Sequence, residues 1–229
     1  MNFIRVILSP LVFCTYLRLG GSYQNYRKQQ FRHKTPKQVE RVKEKIKRLK
    51  AALAFDRKQW GGFHHDGQGI RYLIPAFYIK IEDYKGGQRY FNWFNKTFSD
   101  DSGDPAFLFE WAITLFMNGK TTEAGKKLFE AFSRNTYIID KFLGKEIIAI
   151  DKWEGSGLES PDFTNYFIYS ATDPKLAAFS EWLKLFVETE KFSVASEKFL
   201  EIQKKLKDED DKETRQYLLK AEEQLILNF

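Results

Sequence analysis

At 229 residues and 27.1 kDa, with 43% hydrophobic and 30% charged residues, the chain can build one large packed unit or two small ones. That apolar content, with six prolines and fourteen glycines, excludes disordered, linker-dominated and collagen-like classes, while the single cysteine, Cys14, excludes an internal disulfide framework or a thiolate zinc site within one chain. The net charge of +6 is unevenly spread: residues 1–58 carry 15 Lys/Arg against Glu40, Glu44 and Asp56, a balance of +12, and residues 59–229 balance at −6.

In chain order, residues 6–17 form an apolar run closed by Arg5 and Arg18. It falls short of the ~20 residues a membrane span needs, and Leu19-Gly20-Gly21-Ser22 offers no small-x-small cleavage site. A packed or interfacial segment is expected, in a cytoplasmic protein; export or membrane-surface association through residues 1–20 is the other reading. Residues 23–34 are polar, basic and without apolar periodicity, which reads as an extended arm.

Helix signals then begin. Thr35-Pro36 followed by Gln38 supplies an N-cap, a proline at the first helical position and a capping box. Val39, Val42, Ile46, Leu49 and Leu53 recur at spacings of three and four, lining one face, while Lys and Arg fill the others. Such a helix suits an acidic partner, RNA or a membrane surface, and equally a solvated face on an ordinary packed helix.

Beyond it, Asp104-Pro105 and Asp173-Pro174 each pair an N-cap residue with a helix-starting proline ahead of an apolar, Trp-containing stretch. The first runs through Leu108, Trp111, Ala112 and Leu115, turns at Gly119, and continues with Ala124, Leu128 and Ala131. The second runs through Phe179, Trp182, Leu183 and Phe186, then Ala195, Phe199 and Ile202. Ala124 and Ala195 are small enough to let paired helices approach closely. A weaker copy carries Tyr84, Gly87, Phe91 and Phe94 after a first helix ending near Glu82. In it Pro75 would cost ~3 kcal/mol inside a helix, unless the helix starts there or kinks. At the chain end, Asp210 with Glu213 forms a cap for a helix whose Tyr217, Leu218, Ala221 and Leu225 share a face.

The positions Leu108, Trp111, Ala112, Leu115, Gly119, Ala124, Leu128 and Ala131 resemble the tetratricopeptide repeat in residue type and spacing. The resemblance implies an all-α, right-handed stack of helix hairpins in a single domain over residues 35–229. Its hairpins would fall at about 68–101, 105–136, 137–172 and 176–209, with a capping helix at 210–229. It also implies a groove for a peptide or partner protein. The groove positions are Tyr72, Ala76, Ile79 and Lys80, then Ala106, Phe109, Ile113, Phe116 and Met117, then Ala177, Ser180, Lys184, Val187 and Glu188.

Catalytic signals are sparse. Gly61 to Gly69 holds His64, His65 and Asp66, which offer acid–base or metal chemistry, but adjacent histidines diverge on a regular element and His33 is the only other histidine. Asp100, Asp101 and Asp104 lack calcium-loop spacing, and there is no phosphate loop or nucleophile elbow. The sequence thus predicts no enzyme, metal or cofactor, and a protein-binding adaptor or scaffold acting through the groove. The alternative is RNA, ribosome or anionic-surface association through Arg27, Lys28, Arg32, Lys43, Lys47 and Lys50, with Tyr23, Tyr26 and Phe31 interleaved.

Overall fold

The computed structural model describes residues 35–229. The apolar run and the basic arm, with Cys14, Tyr23, Tyr26, Arg27, Lys28, Phe31, Arg32 and His33, lie outside the described residues. Among the described residues the structure is helical throughout its regular elements, with no β-strand. Where a single repeat domain is expected, these residues divide into two compact units, 35–101 and 102–229, each with its own buried core.

The first unit contains α1 (Pro36–Gln59), α2 (Ile70–Lys80) and α3 (Tyr84–Thr97). Helix α1 starts where the sequence places it: Thr35 accepts from the Gln38 backbone and the Gln38 side chain accepts from the Thr35 backbone, the full capping box. Its buried Ile46 and Leu53 lie on the face that packs against α2. Pro75 neither starts nor ends α2. A proline there leaves the carbonyl four residues back, Arg71, without its helical donor, and the buried Tyr90 hydroxyl of α3 supplies one at 2.7 Å. The helix therefore continues through Pro75, and the substitute hydrogen bond ties α3 to α2.

The second unit contains α4 (Pro105–Met117), α5 (Thr121–Arg134), the short α6 (Ile138–Leu143), α7 (Ala177–Val187), α8 (Glu190–Lys207) and α9 (Lys212–Asn228). Asp104 caps α4 by accepting from the Phe107 backbone at 2.8 Å, with Pro105 at its first position. Every residue of α4 from Pro105 to Leu115 is buried, as befits a helix that is apolar all round. Asp173-Pro174 opens a single 3-10 turn, Pro174–Leu176, from which α7 continues. The cap of α9 is Asp211, accepting from Thr214, rather than Asp210. Ala124 and Ala195 are both buried, on α5 and α8.

The hairpin expected over 137–172 does not form. Helix α6 stops at Gly144, which takes the left-handed conformation (φ 74°), and the following chain, rich in glycine and serine, holds only a 3-10 helix at Pro161–Tyr166 before Asp173. The segment is nonetheless pinned: Asn135 donates to the carbonyls of Leu158 and Ser160, Ile150 donates to the Tyr137 hydroxyl, and Trp153 donates to the Gln203 carbonyl. Its Phe163, Phe167 and Tyr169 are buried, so it is a packed covering layer.

Candidate functional site

The structure sorts the predicted groove residues into core and surface. In the first unit Tyr72, Ala76 and Ile79 are buried and Lys80 is half-buried. In the second, Ala106 is buried, and Phe109 and Ile113 are wholly so. The Phe109 ring meets those of Phe142, Phe167 and Phe179 at centroid distances of 5.0–5.6 Å. Phe109 and Ile113 are thus core residues of the second unit, with rings of α6, the irregular segment and α7 around Phe109. Phe116 is half-buried, stacked on Trp182 at 4.9 Å, and Met117 and Val187 are also half-buried. Ser180 is buried, while Ala177, Lys184 and Glu188 are exposed.

The loop between α1 and α2 gathers the residues singled out for chemistry. Asp56 of α1 accepts from the backbones of His65 and Asp66 at 2.9 and 3.2 Å. Asp66, in a positive-φ conformation (35°), accepts from the Ile70 and Arg71 backbones at 2.8 and 3.0 Å and from the Arg71 guanidinium at 3.1 Å. Asp101 completes the set, accepting from Arg71 Nε at 2.8 Å and from the Tyr72 hydroxyl. These carboxylates satisfy the start of α2 and a half-buried guanidinium, which is capping work. Burial pushes the Asp66 carboxyl above its ordinary value, against the pull of those same donors. Among the described residues no group of three His, Cys, Asp or Glu side chains is placed to hold a metal ion.

His64 and His65 part ways, as adjacency predicts. His65 is exposed and stacks on Trp60 at 4.7 Å, whereas the His64 ring is 6% exposed, packed near Phe98 and Trp93, with its Nδ1 3.8 Å from Asp56. Neither His64 ring nitrogen has a hydrogen-bond partner. Burial lowers its pKa, aided by Arg57 and Arg71 and opposed by Asp56 and Asp66. A lowered histidine pKa contributes stability that is complete above the unfolded value of about 6.5 and is lost as pH falls through the folded value. Thermal unfolding of the protein should therefore come earlier at about pH 5.5 than at about pH 7.5. His64→Leu should flatten that difference, and an unchanged slope would refute the assignment.

The remaining candidates lie on α1. Its 24 residues carry nine cations against Glu40, Glu44 and Asp56. Lys43, Lys47 and Lys50 are exposed, as are Lys37, Arg41, Arg48, Arg57 and Lys58. Lys43 and Lys47 make only exposed intrahelical pairs with Glu40 and Glu44, at 3.8 and 4.0 Å, a geometry worth about 0.3–0.5 kcal/mol and easily exchanged. Lys50 lies over the Tyr78 and Tyr90 rings at 5.3 and 5.7 Å.

Sequence reasoning missed two features. Glu110, fully buried in α4, accepts from the buried Tyr169 hydroxyl at 2.7 Å and so fastens the irregular segment; nothing in an apolar helix signals a partner 59 residues away. The other is an open groove of about 420 Å³ between α8 and α9, lined by apolar Val194, Ala195, Leu225 and Phe229 and by Glu190, Lys191, Lys198 and Asn228.

No family model, no curated relative and no solved structure matches the chain.

Proposed function

We propose that this protein is a non-catalytic binding module whose docking element is α1, directed at a polyanionic partner. The observation that carries the reading is the exposed cationic surface of α1: its nine cations face three acids, one of which, Asp56, is committed to the loop backbone. Cations held on a rigid helix neutralise phosphates or anionic headgroups by counterion release, so binding falls steeply with salt. Within this reading the helix pairs α2/α3, α4/α5 and α7/α8 are degenerate tetratricopeptide-like units whose groove faces have been filled by neighbouring segments.

The test is retention of the full chain on immobilised heparin across a salt gradient. Replacing Lys43, Lys47 and Lys50 by Glu brings the formal charge of α1 from +6 to zero, and binding at low salt should fall by roughly 100-fold or more with helicity unchanged. Retention insensitive to salt and to these substitutions would reject the reading.

A second reading, a protein or peptide partner, is favoured by the α8/α9 groove, whose mixed polar and apolar lining includes the 41%-exposed Val194. It predicts that Val194→Glu abolishes partner capture while the α1 charge reversals do not.

A further inference from the structure

Three large apolar side chains project from the C-terminal end of α1 and the turn that follows: Phe55 at 63%, Trp60 at 55% and Phe63 at 79% exposure. Single exposed apolar residues need no explanation, but three within nine residues of a cationic helix do. Arg57 and Lys58, both exposed, lie between them. The one carboxylate in that stretch, Asp56, is turned inward onto the His65 and Asp66 backbones. The tip thus shows the solvent aromatic rings and cations.

The turn is built rather than loose. Gly61 and Gly62 hold positive φ values of 61° and 102°, a conformation that side-chain-bearing residues rarely adopt, and a Cβ on either would meet nothing within 4 Å, so the turn stands clear of the body. Its polar groups are internally paired: Trp60 donates to the Asp56 carbonyl, Gly62 to the Arg57 carbonyl and Phe63 to the Trp60 carbonyl, and Arg57 Nε donates to the Gly62 carbonyl at 3.0 Å. One face of the Trp60 indole is already taken by His65, which leaves it a poorer platform for stacking nucleic-acid bases.

We propose that Phe55, Trp60 and Phe63 form an interfacial wedge that enters the headgroup region of an anionic bilayer, with the cations of α1 held against the lipid headgroups. The proposal rests on the polyanion reading of α1 and names the partner as a lipid surface. Tryptophan and phenylalanine supply the apolar insertion, and the Lys and Arg side chains supply the electrostatic attraction that anionic lipid adds.

The test uses the full chain and phosphatidylcholine vesicles with and without phosphatidylserine. Wild type should float with the phosphatidylserine vesicles. Trp60→Ser with Phe63→Ser should bind them about tenfold more weakly, while its heparin retention and melting temperature stay unchanged. Trp60→Phe should keep binding, and bromine-labelled lipid should quench wild-type tryptophan fluorescence more than that of Trp60→Phe, since the other four tryptophans are common to both. Vesicle binding unaffected by the double serine variant, including binding driven by the apolar run at residues 6–17, would overturn the wedge. Equal quenching in the two proteins, or loss of binding to single-stranded RNA rather than to vesicles, would overturn it too. In each of those cases salt-sensitive heparin retention would leave the α1 reading standing, and its absence would remove both.

Discussion

Phe109→Ala is expected to destabilise the 102–229 unit by about 3–5 kcal/mol, among the largest single effects available in this protein. The ring is fully buried and meets Phe142 of α6, Phe167 of the irregular segment and Phe179 of α7, so truncation opens a cavity where three elements converge. Denaturant unfolding followed by near-ultraviolet circular dichroism and tryptophan fluorescence reads the effect, since Trp111, Trp153 and Trp182 all lie in this unit. Phe116→Ala, at a half-buried ring stacked on Trp182 and near Phe179, should cost less, about 1–3 kcal/mol. If Phe109→Ala left stability unchanged and instead weakened capture of a partner, the ring would be a surface contact and the burial described here would be wrong.

Asp66→Ala should cost the 35–101 unit about 2–4 kcal/mol, because it removes one partner of a part-buried charge-assisted set, although Arg71 keeps Asp101. It also strips the Ile70 and Arg71 backbone donors of their acceptor and places alanine at a φ of 35°. Asp66→Asn should cost less, since asparagine tolerates positive φ and still accepts a backbone bond, but loses the charge that faces Arg71. The order aspartate, asparagine, alanine in melting temperature is the expected outcome. Equal stability of all three would show that Asp66 does not clasp α2, and would return it to consideration as a reactive carboxyl.

Both predictions turn on residues whose types were visible in the sequence and whose duties were not. Phe109 and Ile113 fall on the positions a tetratricopeptide-like groove would use, and only the chain that follows α6 decides that they are covered. Asp66 sits beside two histidines in a glycine-rich loop, a composition that suits chemistry; its donors come from the start of α2 and its neighbour Asp101 from 35 residues away.

What the sequence alone determines here is local. The Thr35 capping box, the Asp104-Pro105 start, the three-and-four spacing of α1 and its cationic remainder are set by residues within one or two turns of each other, so helix positions and the charge of α1 are legible without a fold. What only the tertiary structure decides depends on contacts between distant residues. The helical path through Pro75 requires the Tyr90 hydroxyl 15 residues on, and the irregular layer over 144–176 requires Asn135, Gln203 and Glu110 as hydrogen-bond partners. The exposure of Trp60 and Phe63 is of the same kind: the side chains are plain in the sequence, but that they stay uncovered depends on where α1 ends and on the turn that Arg57 and Asp56 bond to. Periodicity reports which face of a helix is apolar, whereas burial of a given ring depends on which other segment arrives to cover it.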